Sequence, residues 1–73
     1  MTRLPRDVPA KKVIAALERL GFRVSRVSGS HYVMVKDELR TVVPYHKAVK
    51  LGTLKSILNQ VGIGVDEFLD LIK

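Results

Sequence analysis

His31 and His46 are the only two histidines of this 73-residue chain, and cysteine is absent. Imidazole is the side chain whose ordinary pKa, near ~6.5, leaves both protonation states accessible at neutral pH. His31 closes the tripeptide Gly29-Ser30-His31, which lies between two runs of β-forming residues. A glycine at that point permits a positive φ, or a close approach of the backbone to a phosphate, and the turn places the histidine that follows. An imidazole so placed can serve as general base or general acid. Proton transfers of that kind can cut RNA without a metal. One group takes the proton of a ribose 2′-hydroxyl as its oxygen attacks the adjacent phosphorus, and another protonates the leaving 5′-oxygen. The carboxylates of the chain are not clustered, which argues against a two-metal nuclease. Two histidines with neither carboxylate nor cysteine beside them rarely hold a metal, so no metal and no cofactor is expected.

The charge distribution supplies the substrate class. Lys and Arg number 13 against 7 Asp and Glu, a net charge of +6. Residues 1–50 hold 11 of those basic residues and 4 of the acidic ones. Such a segment attracts a polyanion, and nucleic acid is the commonest one; the bland alternative is a merely soluble basic surface. Arg23, Arg26, Lys36, Arg40 and Lys47 are candidates to offset charge building on a phosphorane. Ser30 could orient the imidazole or donate to a phosphate oxygen. His46 follows Pro44-Tyr45 and has three open readings: a phosphate ligand, an assistant to His31, or a local cap. Tyr32 and Tyr45 could stack on bases. His31 has its own bland reading, a hydrogen-bonded histidine at a strand start. It shares strand parity with Val33 and Val35, and if that parity faces the core the imidazole is buried.

These side chains need elements to hold them. The length allows one domain, taken as residues 1–73 with 1–8 as an N-terminal extension. A hydrophobic fraction of 47% and a mean hydropathy of +0.11 are those of a chain with a core. Pro9 suits the first position of a helix. Val13, Ile14, Leu17 and Leu20 recur at helical spacing, and Gly21 ends the pattern. Three strand-like runs follow: Phe22 to Ser28, His31 to Lys36, and Leu39 to Pro44. The Gly29-Ser30 turn and the polar tip Asp37-Glu38 join them into an antiparallel meander. Leu54, Ile57, Leu58 and Val61 form a second apolar stripe, with Gly52 or Thr53 as its N-cap. A short last helix carries Asp66 and Glu67 in its first turn and Phe68, Leu69 and Ile72 as apolar contacts. The expected class is α+β: a three-stranded antiparallel sheet with helices on one face, and the other face open. No run is long enough for a membrane span, and the N-terminus lacks the apolar stretch of a secretory signal, so no membrane contact is expected and the cytoplasm is the expected location.

Four motifs in order resemble the HicA toxin family: Gly29-Ser30-His31 after the first strand, Val43-Pro44-Tyr45-His46 at the end of the third, Gly52-Thr53-Leu54-Lys55-Ser56-Ile57-Leu58, and Gly62-Ile63 followed by Asp66-Glu67-Phe68-Leu69. The resemblance spans Pro9 to Leu71. It implies an α-β-β-β-α fold like that of the double-stranded-RNA-binding domain. It implies a ribonuclease toxin that cleaves messenger RNA, and a neutralising antitoxin of the HicB type covering the basic active-site face. The family's catalytic histidine corresponds to His31 and its motif glycine to Gly29. The competing reading is a non-catalytic module that binds RNA by shape, as other domains of this fold do.

Overall fold

The computed structural model describes residues 7–45 and 48–72. The elements run α1 (Ala10–Arg19), β1 (Arg23–Ser28), β2 (His31–Lys36), β3 (Leu39–Pro44), α2 (Leu51–Val61) and α3 (Val65–Ile72). The strands form one antiparallel sheet in the order β1-β2-β3. This is the α+β arrangement of the double-stranded-RNA-binding domain, with one further helix at the end.

Helix α1 buries the stripe Val13, Ile14 and Leu17 together with Ala10 and Ala16. Its C-terminus closes as a Schellman motif. The Gly21 amide donates to the Glu18 carbonyl at 3.0 Å and the Phe22 amide to the Leu17 carbonyl at 3.0 Å. Gly21 has φ +102°, a conformation that a side chain strains, and an added Cβ would sit 3.3 Å from Lys36 Cε. Gly21→Ala is therefore expected to cost about 1–2 kcal/mol. The measurement is thermal unfolding, with a fall in Tm of about 5–10 °C expected for a domain of this size.

Both hairpin turns are two residues long, because Ser28 pairs with His31 and Lys36 with Leu39. Each turn has a positive φ at its first position only, at Gly29 (+59°) and Asp37 (+53°). That is the φ pattern of type II′ turns, whose twist matches the flanking strands. β1 carries an irregularity: pairing passes from Val24↔Met34 to Arg26↔Val33, and Ser25 is the extra residue. Such a bulge turns the strand locally out of alternation.

The helices cover one face of the sheet. Met34 of β2 and Thr41 and Val43 of β3 point into them at 0%, 2% and 0% exposure. The Thr41 hydroxyl, buried there, donates to Gln60 Oε1 of α2 at 2.6 Å. Leu54, Ile57, Leu58 and Val61 of α2 complete the core with Phe22 and Phe68. Val8 belongs to it as well, bridged to Val49 through its carbonyl. Arg19 of α1 reaches α3 and donates to the Leu71 carbonyl at 2.9 Å. Among the described residues no helix is long and apolar enough to cross a membrane.

Three local readings change. Pro9 is the N-cap, not the first helical residue, and its carbonyl accepts from the amides of Lys12 and Val13. Helix α2 starts at Leu51 with Lys50 as N-cap, so Gly52 and Thr53 lie inside its first turn. The Val8↔Val49 bridge fixes the chain just before Lys50, and the helix begins as soon as that bridge ends. In α3, Leu71 and not Leu69 joins Phe68 and Ile72 against the core.

Candidate active-site face

The register settles which side of the sheet His31 occupies. Residues directly opposite in an antiparallel pair share a face. Met34, Thr41 and Val43 mark the helix face, so the other parity of each strand points away from the helices. That outer parity holds His31, Val33 and Val35 from β2, and Arg40, Val42 and Pro44 from β3. His31 is exposed, and its Cα partners are Ser28 and Pro44. The imidazole is not packed under the helices, although the valines of its parity are partly covered.

The bulge at Ser25 adds a second consequence. Arg23 pairs with Val35 and Arg26 with Val33, so both arginines share the outer face despite their odd spacing. Arg40 pairs with Val35 from the other side. Three guanidinium groups thus flank a strip of valines that ends at His31. No strand residue is an Asp or Glu. Asp37 and Glu38 lie at the far hairpin tip, away from the His31 end. A face with one sign of charge concentrates an anionic ligand on itself.

The turn that carries His31 is braced from β3. Gly29 is left-handed, and nothing lies within 4 Å of where its Cβ would be. The glycine is therefore needed for its φ, and the space outside it is open. Ser30 accepts, through its carbonyl, a hydrogen bond from the Tyr45 amide. The Tyr45 ring stacks on Tyr32, with centroids 4.8 Å apart and planes inclined by 28°. Tyr32 is half-buried against the core, whereas Tyr45 is 41% exposed. The end of β3 is thus fastened to the turn before His31. This brace uses a backbone amide, so no residue type could announce it. His46 and Lys47, which follow Tyr45, lie outside the described residues.

The remaining candidates divide. Gly29, Ser30, Arg26 and Arg40 sit with His31 on the outer face or at its turn. Lys36 does not. It projects on the helix side, and its Nζ donates to the Leu20 carbonyl at 2.6 Å, at the C-terminal end of α1. A cation there satisfies a carbonyl that the helix leaves open and suits the negative end of its dipole. Lys36→Ala is expected to destabilise the fold by about 1–2 kcal/mol, as the loss of a charged hydrogen bond does. Urea unfolding of the variant checks this, and an unchanged midpoint would refute it. Among the described residues, no group of three or more His, Cys, Asp or Glu side chains is placed to hold a metal.

Comparison with known proteins adds identity to this geometry. No curated protein matches the chain. Residues 10–63 match the model of a protein family described as HicA toxin of bacterial toxin-antitoxin. The match runs from the first residue of α1 past the end of α2 and takes in the whole sheet. A match over that much of a 73-residue chain makes it a member of the HicA toxin family, the toxin half of a bacterial toxin–antitoxin pair.

Proposed function

We propose that the chain is an endoribonuclease toxin that cleaves messenger RNA by metal-independent transesterification, with His31 moving a proton at the scissile bond. The 2′-oxygen attacks phosphorus as its proton leaves to a base. The bond from phosphorus to the 5′-oxygen breaks as that oxygen gains a proton. The products are a 2′,3′-cyclic phosphate and a 5′-hydroxyl. His31 fills one of these proton-transfer roles, and His46 is the candidate for the other. Arg26 offsets the charge on the phosphorane, with Lys47 as a further candidate, and Arg40, farther along the face, binds the RNA backbone. Gly29 supplies the turn, and Ser30 holds the imidazole or a phosphate oxygen. A HicB-type antitoxin neutralises the toxin in the cytoplasm by covering the basic face.

One observation carries this reading. The exposed imidazole follows a left-handed glycine at the end of a sheet face that bears three arginines and no carboxylate. The test is incubation of the purified chain with RNA in excess chelator. Fragments ending in 2′,3′-cyclic phosphate are expected. RNA that is bound in a salt-dependent way but stays intact would instead make the chain a binding module.

A further inference from the structure

A groove of about 280 Å³ runs along the free edge of β3, between that strand and α2. Arg40, Thr41 and Val42 form one wall, and Thr53, Ser56 and Gln60 the other, over Ile57 as floor. Arg40 and Val42 belong to the outer face as well, so the groove continues the surface that ends at His31. From Pro44, the partner of His31, to Arg40 the distance along β3 is on the order of 14 Å.

The chemistry of the lining is selective. Five of its seven side chains carry a hydrogen-bonding group, and the one charged group is the Arg40 guanidinium. The Thr41 hydroxyl donates to Gln60 Oε1, which leaves the amide N–H group of Gln60 as the donor that side chain brings to the lining. Val42 and Ile57 provide an apolar surface between these donors, Val42 exposed and Ile57 buried. A cation, an oriented amide, two hydroxyls and a narrow apolar floor suit a ligand that is anionic at one end and flat with polar edges at the other. An acidic peptide would meet a single cation and leave the Gln60 amide and the hydroxyls without a planar partner.

We propose that the groove holds one unpaired nucleotide of the RNA, displaced from the cleaved bond, with its phosphate on Arg40 and its base edge on Gln60. The inference rests on the ribonuclease reading and names where a strand leaving His31 goes next. It also gives the toxin a place to read a base, because the amide of glutamine pairs with base edges and an arginine with phosphate.

The test separates the two readings. A chain labelled with ¹⁵N and carrying His31→Ala is titrated with a mixed-sequence RNA hexanucleotide. Shifts are expected at the Gln60 side-chain amide and at the backbone amides of Thr53 and Ser56. Ser56→Trp, made at an exposed position of α2, fills the groove. It is expected to weaken hexanucleotide binding by about tenfold, the loss of one base contact, with an unchanged melting curve. Shifts confined to the outer face, together with full affinity in Ser56→Trp, would overturn the groove. So would a Ser56→Trp variant that loses antitoxin binding and keeps RNA binding, which would make the groove a protein contact. A wild-type chain that binds RNA there and never cuts it would sink the ribonuclease reading and leave the groove standing. A chain that cuts RNA while Ser56→Trp binds it normally would do the reverse.

Discussion

His31→Ala is expected to remove RNA cleavage and growth arrest while leaving the fold intact. General acid–base catalysis by a positioned side chain contributes about 10²–10⁴-fold, and the variant loses that factor. Stability should stay within about 0.5 kcal/mol of the parent, as for surface substitutions generally. The reason is local. His31 is exposed, and it makes no side-chain hydrogen bond to a described residue. Gly29 sets the turn, and the Tyr45 amide holds it from outside. Two measurements are needed together: the rate of fragment formation from RNA in chelator, and the melting temperature. Cleavage at the parental rate would remove His31 from the chemistry whatever the fold. Lost cleavage with a collapsed melting temperature would show a structural role in place of a chemical one.

Phe68→Ala is expected to have the largest effect on stability, about 3–5 kcal/mol. Phe68 is fully buried, at 0% exposure, on a helix of 8 residues that has no other buried side chain. A core in a domain of this length rarely supplies more than about 3–5 kcal/mol in total. Removing the ring leaves a cavity beneath α3 and weakens its hold on the core, where Leu71 and Ile72 pack and Arg19 donates to the Leu71 carbonyl. Circular dichroism at 37 °C should show a largely unfolded chain, and the toxicity should vanish with it. A melting curve like the parent's would mean that α3 is dispensable. The family match ends at residue 63, before α3 begins, so this experiment also asks whether the extra helix is part of the stable unit.

Much of this architecture was legible in the sequence, for identifiable reasons. The stripe of α1 has strong helical periodicity, and Gly21 stops it where a left-handed residue is required. β2 and β3 have the bounds that their alternation and turn residues predict, because a two-residue turn leaves no slack in register. The facing of β2 was not legible. His31, Val33 and Val35 are as apolar a set as Tyr32, Met34 and Lys36, so alternation alone does not choose the core side. Thr41 and Val43 across the ladder choose it, a tertiary fact. The start of α2 was missed because Gly52 and Thr53 have the composition of a cap. The bridge at Val49 overrides that composition. Lys36 looked like its basic neighbours, and only the approach of β2 to the end of α1 gives it a different partner.

Ser25 has a consequence for how the molecule tolerates change in length. Counting forward from Phe22, which the core holds, and backward from the Gly29 turn gives two phases along β1 that disagree by one residue. Ser25 is where they are reconciled. The core and the basic face are therefore indexed from opposite ends of the same strand. A residue gained or lost near Ser25 changes how the two counts meet without moving Phe22 out of the core or Arg26 off the face. Removing Ser25 outright brings the two counts into agreement: Arg23 and Arg26 stay on the outer face and Val24 and Val27 on the helix side, and the strand loses only its local bend.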